Sequence, residues 1–261
     1  MHISLNGRRA LITGASDGLG LAMARRFAGS GAAVAMLART AAKLEDAAAL
    51  VRAEAPGVTI AAIPCDVSKA DDVAAGFAAA EAALGGIDIL VNNAGTSVRG
   101  RFETVTDQMW QDDLDLKLFA AIRLCRLAFP GMRARRWGRV INVLNIGAKA
   151  PPAEGSPTAV SRAAGMALTK VLANEGAADN ILVNALLVGM IESGQWTRRH
   201  AADQRNVTWE EWKAEQGARI PLGRIGRAEE FAATACFLCS EEGGYVTGTA
   251  INVDGGRSPV V

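Results

Sequence analysis

Between Gly138 and Lys170 the chain reads GRVINVLNIGAKAPPAEGSPTAVSRAAGMALTK, an apolar strand-like run that ends in a polar turn and leads into a long helix. A polar turn at the carboxyl end of a buried strand is where α/β proteins present side chains to ligands. Asn145 offers an amide there, Thr158 a hydroxyl and Arg162 a permanent cation, groups that can hold or polarise an oxygen. The stretch has no tyrosine, and the one tyrosine in the chain, Tyr245, lies far downstream. A second chemical signal stands near the start, where Gly14, Gly18 and Gly20 follow the apolar run Arg8 to Thr13 and precede the helical pattern LAMARRFAGSG. Glycines so placed allow a tight turn, close approach of a pyrophosphate and a helix N-terminus aimed at it; alone, they can also be only a turn.

The next apolar run, Ala33 to Ala38, is followed by Arg39. An acidic side chain near the end of a second strand would take ribose hydroxyls, whereas an arginine suits a 2′-phosphate, so Arg39 favours NADP(H) over NAD(H) unless it only solvates a loop. Asp66, just past the third apolar run Val58 to Pro64, can accept from an adenine amino group or cap the helix expected from about Ser68 to Leu84. A fourth run, Ile87 to Val91, leads into Asn92, Asn93, Ala94 and Gly95. Strands alternating with helices imply a parallel sheet with helices on both faces and right-handed crossovers.

With 261 residues and half of them hydrophobic, the chain has material for one large α/β domain. Its 28 basic and 27 acidic side chains give a net charge of +1 and no overall field to gather nucleic acid or an anionic membrane. Neither a signal-peptide core nor an apolar run of about 18 residues is present, so a cytoplasmic protein with no membrane partner is expected. Cys65, Cys125, Cys236 and Cys239 are dispersed as buried thiols in a reducing compartment would be. Cys236 and Cys239 form a C-x-x-C inside FAATACFLCS, which reads as helix core; no metal site is expected.

TGASDGLG at 13–20, Asp66-Val67, NNAG at 92–95, PLGRIGRAEE at 221–230 and YVTGTAINVDGG at 245–256 together resemble the short-chain dehydrogenase/reductase family, in its order and spacing over essentially the whole chain. The resemblance implies a Rossmann-type doubly wound parallel sheet of about seven strands, a three-layer single domain over residues 1–261. It also implies a nicotinamide cofactor across the carboxyl ends of the strands. The cofactor would be held by Gly14, Ser16, Asp17, Gly18, Leu19 and Gly20, by Arg39, Asp66 and Val67, and by Asn93, Ala94 and Gly95. Past the run Ile181 to Leu187, where the family has Pro-Gly, the chain has Val188 and Gly189; Gly189 is expected among the cofactor-binding residues, and Ile191 and Ser193 fall where the family holds the carboxamide and phosphates.

The family acts through an asparagine, a serine, a tyrosine and a lysine, and this chain departs at all four places. Lys117 replaces the asparagine, Asn145 the serine, Thr158 the tyrosine and Arg162 the lysine. All four remain hydrogen-bonding groups, whereas decay would leave small or apolar residues at some of them. An aliphatic hydroxyl ionises far above a phenol, so Thr158 at most bonds substrate, and Arg162 cannot give up its proton. Arg162 suits the nicotinamide ribose or a developing oxyanion, and Asn145 a substrate carbonyl. Lys117 is left as the proton source, its pKa lowered by burial and by Arg162; the competing reading is a structural ammonium.

The segment at about 194–220, with three tryptophans and interspersed charges, is expected to form a helical substrate lid. Arg198, Arg199, His200 and Arg205 can bind an anionic substrate group or form a solvated helix face, while His2 and His200 are poor candidates for a catalytic base. Glu154 and Glu192 lie near the expected site. By resemblance, apolar helix faces imply a homo-oligomer, a dimer or tetramer. The expected activity is NADP(H)-dependent interconversion of a carbonyl and an alcohol on a small-molecule substrate. The alternatives are a protein that binds the cofactor without hydride transfer, and a non-redox reaction such as hydration or elimination.

Overall fold

Apolar side chains point to alternate faces along each central strand, and this alternation sets the layers of the molecule. The computed structural model describes residues 3–203 and 205–261, without the side chains of Gln195 and Arg198. The first half runs β1 (Arg9–Thr13), α1 (Gly18–Gly29), β2 (Ala33–Ala38), α2 (Ala41–Glu54), β3 (Ile60–Pro64), α3 (Ala70–Leu84), β4 (Ile89–Asn92) and a two-residue β5 (Arg99–Gly100). There follow α4 (Asp107–Leu114), a π turn at Asp115–Phe119, α5 (Ala120–Arg135), β6 (Gly138–Asn145), a two-residue β7 (Ser156–Pro157), α6 (Thr158–Gly176) and β8 (Ile181–Val188). The chain ends with α7 (Gly194–Ala201), α8 (Trp209–Gly217), α9 (Ala228–Cys239) and β9 (Ala250–Val253).

Seven strands form one parallel sheet in the order β3-β2-β1-β4-β6-β8-β9. Ala10, Ile12, Val34, Met36, Ile89 and Val91 face a core shared with Met23 and Phe27 of α1, Leu44 of α2 and Phe231 of α9. Their neighbours Leu11, Ala35, Leu37 and Leu90 face the opposite core, with Phe77 of α3 and Leu124 and Phe129 of α5. The expected three-layer Rossmann-type domain is therefore the observed one. Strand order reverses between β1 and β4, which opens a crevice at the carboxyl ends, where ligands bind in such sheets.

Local differences from expectation are small. The fourth strand begins at Ile89, and Asp88 before it accepts side-chain hydrogen bonds from Arg9 and Arg135. The short antiparallel pair β5-β7 was not foreseen. Cys236 and Cys239 are buried in α9 and all four cysteines are free thiols. Among the described residues no helix is long and apolar enough to cross a membrane.

Candidate active site

The glycine turn after β1 is packed so closely that side chains are excluded from it. A Cβ on Gly20 would stand 2.1 Å from the carbonyl oxygen of Gly14, one on Gly14 would stand 3.0 Å from Ala94, and Gly18 has φ +51°. Thr13 joins this turn to β4: its hydroxyl accepts from the N–H groups of Asn93 and Ala94, both at 2.9 Å. The Asn93 amide donates to Thr13 O at 2.8 Å. Asp17 caps α1 by accepting from Gly18 N at 2.7 Å and also pairs with Lys43, which brings a cation beside the turn. A first cavity of about 250 Å³ is lined here by Gly14, Asp17, Gly18 and Leu19 on one side and Asn93, Ala94 and Gly95 on the other. Ser16 and Gly20 shape the turn without lining the cavity.

At the edge of the crevice, Arg39 follows β2, exposed and with no side-chain hydrogen bond or ion pair among the described residues. Asp66 closes a local turn, accepting from Ser68 N at 3.1 Å and Ser68 Oγ at 2.8 Å, so it caps Ser68 and not the first turn of α3. Although burial pulls its pKa upward, the Ser68 bonds and the charges of Arg39 and Lys69 hold the carboxyl below its usual range. Val67 is core. Gly189 lies against Asp254, where a Cβ would meet that side chain at 2.5 Å. Ile191 bridges to Gly226, and Ser193 faces Gly18 across the first cavity.

The four departing residues come together. Lys117 lies in the π turn between α4 and α5, a wide turn that often marks a functional site. Its side chain is 1% exposed and its Nζ donates to Asp113 Oδ1 and to Thr158 Oγ1, the latter at 2.7 Å. Asp113, wholly buried, also accepts from Ser161 Oγ at 2.5 Å. Burial and then the charge of Arg162 lower the Lys117 pKa to about 8, against the opposing pull of Asp113. The Arg162 pKa is lowered to about 10, chiefly by burial.

Arg162 donates from Nη1 to Val143 O at 2.8 Å, while its buried Nε has no partner. Gly95 makes room for it, since a Cβ there would stand 2.5 Å from Nη2. Asn145, at the end of β6, has a buried Oδ1 without a partner, and its amide makes no hydrogen bond among the described residues. Asn145 Nδ2 and Arg162 Nη2 make no hydrogen bond among the described residues, and both residues line the first cavity, so donors are left for a ligand. With the glycine cradle and the bare Arg39, they fit a phosphorylated dinucleotide and a carbonyl substrate.

Two features differ from expectation. Lys117 lines neither this cavity nor its neighbour, and Thr158 stands between the ammonium and the open space. Asp113 and Ser161, which complete the buried chain, were missed; the only sequence signal was the i,i+4 spacing of Asp113 and Lys117.

The second cavity, about 380 Å³, shares Asn145, Thr158 and Ser193 with the first and extends beneath α7. In the segment above it, Trp196, Trp209 and Trp212 cluster with His200, whose Nε2 lies 2.8 Å from Val207 O. His200 thus has a structural place. Arg205 pairs with Asp203 and Glu215, Glu192 pairs with Lys213, and Glu154 is exposed; the Arg198 side chain and His2 lie outside the description. Of the expected basic group, Arg199 reaches the cavity.

Comparison with known proteins shows what the chain is similar to in sequence and fold. The family model described as enoyl-(acyl carrier protein) reductase matches residues 14–258. Nodulation protein G of Rhizobium sp. (strain N33) is 39% identical over 258 residues, 98% of this chain and 99% of that protein. L-Sorbose reductase from Gluconobacter frateurii, solved with NADPH and L-sorbose, superposes over the whole of both chains with TM-score 0.95 and 35% identity. An NADPH-bound short chain oxidoreductase from Pseudomonas aeruginosa PAO1 containing an atypical catalytic center has TM-score 0.92 and 37% identity over 99% of both chains.

Proposed function

The chain belongs to the short-chain dehydrogenase/reductase family, and from that premise we propose that it interconverts a carbonyl and an alcohol with NADP(H), using Lys117, Asn145, Thr158 and Arg162 in place of the usual four residues. The observation that carries this reading is the buried line Asp113, Lys117, Thr158, which ends at a wall where Asn145 and Arg162 have unpaired groups. When bound, NADPH supplies the hydride. Arg39 is suited to the 2′-phosphate, and the turn from Gly14 to Gly20 with the α1 N-terminus to the pyrophosphate. The NADPH held by the similar sorbose reductase and short chain oxidoreductase supports the same cofactor here.

The remaining work falls to the chain. Asn145 Nδ2 donates to the substrate oxygen, and the Arg162 guanidinium stabilises the negative charge that develops on it. Lys117 then supplies the proton. Because it lies behind Thr158, the hydroxyl is the conduit, a larger role than the bond to substrate expected of it: in one concerted relay, with no free alkoxide, Thr158 Oγ1 gives its proton to the substrate oxygen and takes one from Lys117 Nζ. To do so it must leave Val98 O, to which it donates at 2.7 Å. Asp113 holds the ammonium in place and is itself held by the Ser161 hydroxyl. The segment at 194–220 covers the substrate, and the protein assembles as a homo-oligomer.

NADPH consumption across a panel of ketones, measured beside NADPH affinity, tests the reading. Turnover is expected. Tight binding with no consumption of NADPH by any ketone would place the protein with the non-catalytic alternative.

A further inference from the structure

The second cavity carries positive charge with no ion-paired carboxylate among the described residues. Arg99 reaches it from β5, Arg199 from α7 and Arg257 from the segment after β9, so three distant stretches of chain bring guanidinium groups to one space. None of the three makes an ion pair or a side-chain hydrogen bond among the described residues. Arg9, Arg25, Arg52, Arg135 and Arg224, by contrast, each hold a carboxylate. No aspartate or glutamate lines this cavity among the described residues. Asp254, close to Arg257 in sequence, is satisfied within its own turn, accepting from Gly256 N at 3.0 Å and Ser258 N at 2.6 Å.

Arg199 lies over the Trp196 ring at 4.6 Å, which fixes its plane and leaves its edge N–H groups for a ligand. The cations also feel one another. Burial first, and then the charge of Arg99, hold the Arg257 pKa below its ordinary value; Asp254 opposes this and Arg199 adds to it. An anion placed among them removes that repulsion.

We propose that the substrate carries an anionic group, a carboxylate or a phosphate ester, held by Arg99, Arg199 and Arg257, with its reacting carbonyl at Asn145 on the inner wall of the same cavity. The position of the carbonyl rests on the reductase reading; the anion site does not.

Titration calorimetry on the NADPH-loaded protein tests it, with straight-chain oxo-carboxylates of increasing length, their primary amides and the corresponding oxo-alkyl phosphates. At least one anion is expected to bind about 10-fold or more tightly than its neutral amide, the scale of a charge-assisted hydrogen bond. High salt, Arg99→Gln and Arg257→Gln should each shrink that ratio. The carboxylate and phosphate arms identify which anion is preferred. Equal affinity for anion and amide, a preference that survives loss of both arginines, or binding of no member overturns the proposal. Anion preference without NADPH consumption leaves the site standing and removes the reductase reading; turnover of neutral ketones without anion preference does the reverse.

Discussion

A buried lysine beside a buried aspartate can be a structural pair or a proton source, and single residues distinguish the two. Lys117→Met leaves the Asp113 charge unpaired, which costs about 3–5 kcal/mol of stability, so loss of activity in that variant alone decides nothing. Asp113→Asn combined with Lys117→Met removes both charges at similar volume and should recover most of the melting temperature. If Lys117 supplies the proton, this double variant stays ~10²-fold or more below wild type in kcat for ketone reduction. Thr158→Val, which removes the conduit hydroxyl together with its bonds to Val98, should fall by a similar factor and lose some stability. The pH dependence has a definite sign: reduction needs the charged lysine, so kcat is level below about 8 and declines as pH rises through that value. Full activity in the double variant, or an unchanged decline above pH 8 in it, would sink the proton assignment.

At the scale of elements, the proposed cofactor site divides between the end of β2 and the turn after β1. On the proposed reading Arg39, just past β2, meets only the adenosine end, so Arg39→Ala should weaken NADPH about 10-fold to 100-fold and leave NADH within a few-fold, read by quenching of tryptophan fluorescence. Gly20→Ala pushes a Cβ into Gly14 O and should weaken both cofactors alike. Equal loss of NADPH and NADH in the Arg39 variant would overturn its assignment. These elements were legible because their signals are local: β2 is a continuous apolar run and the turn is punctuated by glycine. What was not legible has a physical cause. The β5-β7 pair has two residues per strand, too short for any alternation to show. A single π turn shifts the helical pattern too little to betray itself, yet it helps place Lys117 behind Thr158 instead of in the open cavity. Asp113 reads as one more polar helix residue, because its burial depends on α6, far along the chain.

For the whole molecule, surface left uncovered by one chain bears on assembly. Leu127 on α5 is 38% exposed, while Val160 and Val171 on α6 are 51% and 52% exposed. A groove between the same two helices is lined by Ile122, Phe129, Leu168 and Leu172. At the sheet edge, β9 pairs with β8 alone among the described residues and all four of its residues are partly exposed, an open edge that proteins ordinarily cover. Symmetric pairing of the α5 and α6 faces would cover the first surface, and a second two-fold contact near β9 would cover the other. Sedimentation velocity should therefore give a dimer or tetramer of the 27.2 kDa chain at micromolar concentration. Leu127→Glu with Val171→Glu, both at exposed positions, should reduce the assembly by one step without lowering the helical signal in circular dichroism. A monomer in the parent protein would leave those faces without this explanation, and an unchanged assembly in the double variant would move the contact elsewhere. Because α6 also carries Thr158, Ser161 and Arg162, burying its far face would stiffen the helix that holds the proton line. The same double variant should thus lose kcat as well as mass, even though neither substituted residue lines either active-site cavity.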